Sequence, residues 1–437
     1  MARVRHAASC LTNEVRWIWS RRLLNHFFRF GDLAKLQQAI TVLEKFVRSA
    51  SVRDELYQKG LGMLGVVLWC RFACLGELSD LEEAISRHRN ALDLIPDGHP
   101  DKPTHLSDLG RCFQARFWCV GELNDLEQST SKHRKAVDLT PGGHPKKPGR
   151  LANLGNSLGT RFQHLGELSD LEEAVLMHRN AVDLVPDGHP DKPDHLNVLG
   201  LCFQARFARI LELSDIEQAI SRHRNAVDLT PSGHPKKPEC LANLGNSLRA
   251  RFRHLGEQSD LEEAILRHRN AVDLVPDGHP HKPSHLHDLG LCFQDRFRRL
   301  GEPSDLEEAI SRHRNALDLI PDGHPNKPGH LAEIGNSLRA RFECLGELSD
   351  LEEAISRHMN ALDLIPGGHP AKPEHLNNLG LSFQARFWHL GELSDLEEAI
   401  SKQRSAVDLI PDGHPDKIVN LTDLSLSLNN RFRRLGA

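Results

Sequence analysis

The chain has 437 residues, and 55 basic against 60 acidic side chains leave a net charge of −5, so it carries no electrostatic footprint for nucleic acid or an anionic membrane. Its 39% hydrophobic and 26% charged residues suit a folded, water-exposed protein rather than a disordered one. No stretch approaches the ~20 apolar residues of a membrane-spanning helix, and nine cysteines without a CxxC pair fit a reduced, cytoplasmic chain.

Residues 1–12 read as an N-terminal tail. Arg3, Arg5 and His6 precede the first acid, Glu14, in the manner of a mitochondrial presequence, but no continuous apolar run follows, so this is not a secretory signal. From residue 13 the chain repeats itself. Gly-His-Pro occurs at 98–100 and seven more times up to 413–415, always 45 residues apart, and Arg-Phe keeps the same period from Arg71-Phe72 to Arg431-Phe432. The length prior would suggest about three domains. A gap-free period instead implies one array, 13–437, in which every copy packs on its neighbours in the same register.

Residues 13–57 form a worn first copy, since Gly31 stands 45 positions before Gly76 and Ala39-Ile40 stand 45 before Ala84-Ile85. Residues 58–417 make eight full copies, and 418–437 make a final lone helix. A 90-residue period lies on top, because GLCFQARF-like text at Gly110, Gly200, Gly290 and Gly380 alternates with GNSLRARF-like text at Gly155, Gly245 and Gly335.

Each copy predicts two helices. The first, helix A, begins near Pro103 and ends at Gly121, with Leu106, Leu109, Gly110, Phe113, Phe117 and Val120 on its apolar stripe. The second, helix B, opens on Ser79-Asp80-Leu81-Glu82, which reads as a capping box with Ser79 as N-cap. Leu81, Ala84, Ile85, His88, Ala91 and Leu92 share one face, Glu83 and Arg87 pair at i,i+4, and Pro96 and Gly98 close the helix. No segment alternates as a strand does.

Leu109-Gly110 with Phe113 on helix A, and Ala84, Ala91 and Pro96 on helix B, resemble the tetratricopeptide repeat over about residues 13–437. The copy length departs from the family, 45 residues against 34. Between Gly110 and Ser129 lie seven extra residues that lengthen helix A, and four more sit in the Pro-Asp-Gly-His-Pro connector. Such long repeats are similar to those of fungal proteins that carry an array ahead of a caspase-like (CHAT) domain. The resemblance implies an all-α solenoid of stacked antiparallel helix pairs, coiled as a right-handed superhelix with helix A lining a concave groove.

Chemistry-bearing patterns resolve into structure. Gly60-x-Gly62-x-x-Gly65 matches a dinucleotide fingerprint, but a charged segment precedes it where a strand is needed. His99 and its equivalents stand on the order of 18–20 Å apart, too far to share a metal, and the ring is expected to bond a nearby backbone carbonyl. His88 and its equivalents read as packed, neutral imidazoles, and Cys112, Cys202 and Cys292 as small buried hydrophobes. Arg116, Asp80 and Asp93 recur in every complete copy, whereas a catalytic group is tuned in one pocket, so these charges are expected to pair. No GxSxG, HExxH or GxxxxGK[ST] occurs. The chain is therefore expected to be no enzyme and to hold no cofactor or metal.

The expected role is a scaffold that binds a protein or peptide in the groove. Its candidate contacts are Gln114, Gln204, Gln294 and Gln384 from one half of the alternation and Asn156, Asn246, Asn336, Arg249 and Arg339 from the other. The Asn resembles one member of the family's carboxylate clamp, but Ala152, Ala242 and Ala332 replace the clamp lysine. The alternative is that this array is the regulatory arm of a larger protein with a caspase-like protease or NTPase domain. RNA reading by successive helices A would need basic or aromatic residues at those positions, where glutamine, alanine and asparagine stand.

Overall fold

The computed structural model describes residues 2–51, 55–321, 324, 326–366, 369, 371–410 and 415–435. These form nineteen helices and no strand. After α1 (Ala2–Phe30) and α2 (Leu33–Ser49), helices A are α3 (Glu55–Leu75), α5 (Lys102–Val120), α7 (Lys147–Leu165), α9 (Lys192–Ile210), α11 (Lys237–Leu255), α13 (Lys282–Leu300), α15 (Lys327–Leu345), α17 (Lys372–Leu390) and α19 (Pro415–Leu435). Helices B are α4 (Leu78–Leu94), α6 (Leu123–Asp138), α8 (Leu168–Leu184), α10 (Leu213–Leu229), α12 (Gln258–Leu274), α14 (Pro303–Asp318), α16 (Leu348–Asp363) and α18 (Leu393–Leu409). The chain divides into two compact units, Met1–Asp215 and Ile216–Ala437. Each is an all-α solenoid of stacked helix pairs, in which a helix A packs on the helix B that follows it and on the helix B before it. Parts of the Gly-His-Pro peptides at 323–325, 368–370 and 413–415 lie outside the described residues.

The boundaries follow from backbone chemistry. Proline occupies the first turn of helix A, where its missing N–H costs nothing. Gly121, Gly166 and Gly256 close their helices at φ 78°, 73° and 75°, in the left-handed region that only glycine enters freely. Leu211 holds the same place at φ 56°, the one non-glycine with positive φ among the described residues. Helix B begins two residues earlier than its sequence suggests. Leu78 is the first helical residue, Glu77 is the N-cap, and no side chain caps it, so Ser79 does not form the expected capping box. Asp80 instead turns back to helix A. Val120, the last residue of the expected helix A stripe, is exposed.

The Asp80 contact is a clasp that recurs down the chain. Arg71 donates from Nε and Nη2 to the two carboxylate oxygens of Asp80 at 2.7 and 2.5 Å. Arg116–Asp125, Arg251–Asp260 and Arg386–Asp395 repeat the geometry. The acid is buried at the N-terminal turn of helix B, so it meets both the helix dipole and a bidentate guanidinium. Asp93 stays exposed.

The helix A glycine makes room for histidine. A Cβ built on Gly245 would lie 2.5 Å from His268 Nε2, and one on Gly110 would lie 2.8 Å from His133 Cε1. The imidazole of helix B therefore lies against bare backbone of helix A. Burial pushes His268 down to about 3 and His133 to about 4, so both are neutral. Neither ring nitrogen of His88, His133, His268 or His358 has a hydrogen-bond partner among the described residues. In the last full copy Gln403 replaces the histidine and packs its Cγ over Gly380. The same logic removes the dinucleotide reading, since Gly60, Gly62 and Gly65 sit inside α3 against Phe46, His105 and His88.

The helix A face as candidate functional site

The connectors between helix B and the next helix A are occupied with their own structure. His99 Nδ1 accepts from the backbone N–H of Asp101 at 3.1 Å, and His144 and His189 do the same two residues on. The ring thus serves as an acceptor at the start of helix A, where backbone donors lack partners, and does not bond a carbonyl as expected. The following lysine caps the helix behind it. Lys147 Nζ donates to the carbonyls of Val137 and Thr140 at 2.7 Å each, and Lys237 repeats this with Val227 and Thr230. A cation at a helix C-terminus is favourable in the dipole field. Nearly invariant text here is explained by two caps per copy.

The nine candidate groove residues lie mostly in the seam between one helix A and the next. Gln114 donates to Thr160 Oγ1 at 3.2 Å, Gln294 to Ser337 Oγ at 2.8 Å and Gln384 to Ser427 Oγ at 3.1 Å. Gln294 and Gln384 are buried by these contacts, and Gln204 is half-buried. Asn246 Nδ2 reaches Asp288 at 3.4 Å, and Arg339 pairs with Glu343 on its own helix at 2.7 Å. Asn336 is half-buried, and Asn156 is exposed. The apolar stripe alone does not show this seam, because helix A packs on two helices B and also touches the next helix A.

The exposed row of helix A lies one turn later. Lining up the copies gives Trp118, Gln163 and Ala208 in the first unit and Arg253, Arg298, Glu343, Trp388 and Arg433 in the second, all exposed. Trp118 is 59% exposed and packs edge-on to His164 of α7, with ring centroids 5.7 Å apart. Trp388 borders a cavity of about 350 Å³ with Arg433 and Arg434 in its wall. Sequence reasoning followed the alternating Gln and Asn/Arg positions and did not carry the copy-to-copy comparison one turn further along helix A.

One member of the seam breaks the period. Asp295 stands where other copies have Ala115, Thr160, Ala205, Ala250, Ala340, Ala385 and Asn430. It is 4% exposed and receives three arginines. Arg249 Nε lies 2.6 Å and Arg253 Nε 2.9 Å from Oδ2, while Arg253 Nη2 lies 3.1 Å and Arg298 Nη1 2.6 Å from Oδ1. Burial raises the Asp295 carboxyl, but the Arg253 hydrogen bond and the neighbouring guanidinium charges outweigh it, and the group lies below its ordinary value.

Two further features concern the connectors and the thiols. A cavity of about 700 Å³ in the first unit opens between α5, α7 and the connectors, with Asp108, Arg111, Lys146 and Arg150 in its wall. Arg150 is committed there, donating to Thr140 Oγ1 at 2.5 Å and Thr104 Oγ1 at 2.9 Å. Burial pushes the Cys112, Cys202 and Cys292 thiols up to about 12, which makes them inert fillers. Among the described residues no group of three metal-ligating side chains comes together. No helix among the described residues is long and apolar enough to cross a membrane.

No family model matches the chain, and no curated protein matches it. Among solved structures, a monomeric mutant of IFIT1 with Gppp-AAAA is 14% identical, covering 94% of this chain and 79% of that one at a TM-score of 0.51. The fold is a tetratricopeptide-type helical repeat. Other structures with tetratricopeptide folds match shorter stretches. The nearly identical TPR-like repeats of a putative kinesin light chain from Podosopora anserina are 15% identical, covering 50% of this chain and 98% of that one, TM-score 0.38. The C-terminal part of a TPR repeat-containing protein from Cytophaga hutchinsonii is 13% identical, covering 71% and 99%, TM-score 0.41.

Proposed function

We propose that this protein is a non-catalytic scaffold whose helix A face binds a protein or peptide segment. The observation that carries this reading is the exposed row of helix A, where Trp, Gln, Ala, Arg, Arg, Glu, Trp and Arg follow one another while the connectors and helix B stay nearly constant. A surface repeated without change offers a partner no unique register, and a changing one does. Exposed Trp118 and Trp388 are the residue type that anchors interfaces. Of the groove residues expected from sequence, Asn156 is exposed and Asn246, Asn336 and Arg339 keep partial access beside this row. Gln294 and Gln384 support the seam beneath it.

The test is a peptide-display selection against the whole chain, with selected peptides measured again on variants. Trp118→Ala or Trp388→Ala is expected to weaken binding by about 1–3 kcal/mol with unchanged melting. His234→Ala with His279→Ala, in the connectors, is expected to leave affinity intact. If the histidine pair abolishes binding and the tryptophans do not, the face is wrong.

A second reading takes single-stranded RNA, favoured by the cavity that Trp388 shares with Arg433 and Arg434, since stacking and phosphate contacts need that pair of residue types. Its mark is affinity for an oligonucleotide that falls steeply with salt and is lost in Trp388→Ala. The alternative of a regulatory arm for a caspase-like or NTPase domain is tested by the reading frame downstream of residue 437.

A further inference from the structure

We propose that Arg249, Arg253 and Arg298 of the second unit form a subsite for a phosphorylated side chain on the bound segment. This rests on the protein-binding reading of the helix A face and names the chemistry of one contact on it. The clasps show what neutralising a buried aspartate requires here. Arg251–Asp260, Arg296–Asp305 and Arg341–Asp350 each use one guanidinium. Asp295 has three, and Asp288 also faces the inner Arg249, so the cluster carries one positive charge beyond neutrality while its two exposed arginines keep unused donors. A purely structural role leaves the second and third arginines unexplained, since unpaired like charges repel one another across a few ångströms.

Geometry favours a ligand above the cluster. Arg249 is the inner member, with a side chain 13% exposed, whereas those of Arg253 and Arg298 are 53% and 60% exposed. A guanidinium has five N–H donors. Arg298 gives one of its donors to Asp295 and Arg253 gives two, which fixes both groups in place on α11 and α13. Pre-set guanidiniums lose less freedom when an anion arrives. The donors left on Arg253 and Arg298 outnumber what two carboxylate oxygens can take, whereas a phosphate monoester offers three acceptor oxygens and about −1.5 to −2 charge near neutral pH. The site is tied to one place in the array, because Asp295 has no equivalent carboxylate in the other copies.

The experiment uses the full chain and two probes. The first is a degenerate peptide library with a fixed central phosphoserine, measured by fluorescence anisotropy beside its serine and glutamate counterparts. The second is phenyl phosphate, followed by phosphorus NMR line broadening. The phosphoserine library is expected to bind at least tenfold tighter than either counterpart. Arg253→Ala with Arg298→Ala is expected to erase that preference and the phenyl phosphate broadening while leaving the melting temperature in place. The conservative pair R253K and R298K should restore only part of it, because lysine keeps the charge and loses the fork. Equal binding of the phosphoserine and glutamate libraries, or a preference that survives the alanine pair, overturns the subsite. If unphosphorylated peptides bind and phosphate adds nothing, the protein-binding reading stands and the subsite falls. If phenyl phosphate binds through these arginines and no library does, the subsite stands and the protein-binding reading falls.

Discussion

Gly245 and Arg253 lie two turns apart on α11 and answer to opposite demands. The position of Gly245 is glycine in eight copies, from Gly65 to Gly380, although glycine inside a helix costs about 1 kcal/mol against alanine. The structure supplies the compensation: His268 fills the space a side chain would need. The position of Arg253 takes five different residues in eight copies, and each side chain meets solvent. Constancy in this array marks what every copy must do to pack. Change from copy to copy marks what is free to be used on a partner.

The largest expected effect tests the constant column through pH. Burial holds His88, His268 and His358 at about 3, and His133, His178, His285, His287 and His330 at about 4, all below the ordinary 6.5. Because these rings stay neutral when folded and take protons when unfolded, stability is full above pH ~6.5 and falls as pH drops below it. Each histidine adds a slope of up to about 1.4 kcal/mol per pH unit, levelling near its folded value. Urea melts from pH 7.5 to 4 should show a steep loss confined below pH ~6.5; a flat profile would remove the neutral-imidazole account.

Next comes Gly245→Leu, expected to cost about 2–3 kcal/mol by overpacking against His268 despite its gain in helix propensity. Combining it with His268→Ala should recover part of that loss. The contrast with the variable row sharpens here, since Arg253→Ala on the same helix should shift the urea midpoint little. Arg251→Ala, which strips buried Asp260 of its bidentate partner, is expected to cost about 2 kcal/mol, the arginine being partly exposed. A smaller effect with the opposite sign is expected at Leu211. Replacing this exposed, left-handed residue with glycine, as in its equivalents, should stabilise by up to about 1 kcal/mol. A lower midpoint for Leu211→Gly would show that the side chain has a contact worth more than the strain.

The helix pairs, their stops and the buried faces were legible in the sequence, because a 45-residue period repeated without gaps averages away local ambiguity. Leu81, Ala84, Ile85 and Ala91 are buried as their spacing implies. Proline and glycine at the helix ends act on their own turn of backbone, which is why a local pattern suffices to find them, whereas the lysine cap reaches carbonyls 7 and 10 residues back and emerged only from the structure. Ser79 was misplaced as a cap since the cap competition is decided by Arg71, which draws the neighbouring Asp80 onto helix A from nine residues upstream. The partner of Gly245, the burial of Gln294 and the reach of Arg249 and Arg253 to Asp295 belonged to tertiary structure alone. Each depends on which side chain of another helix arrives opposite, a relation between residues 19 to 46 positions apart that polarity and period along one helix do not encode.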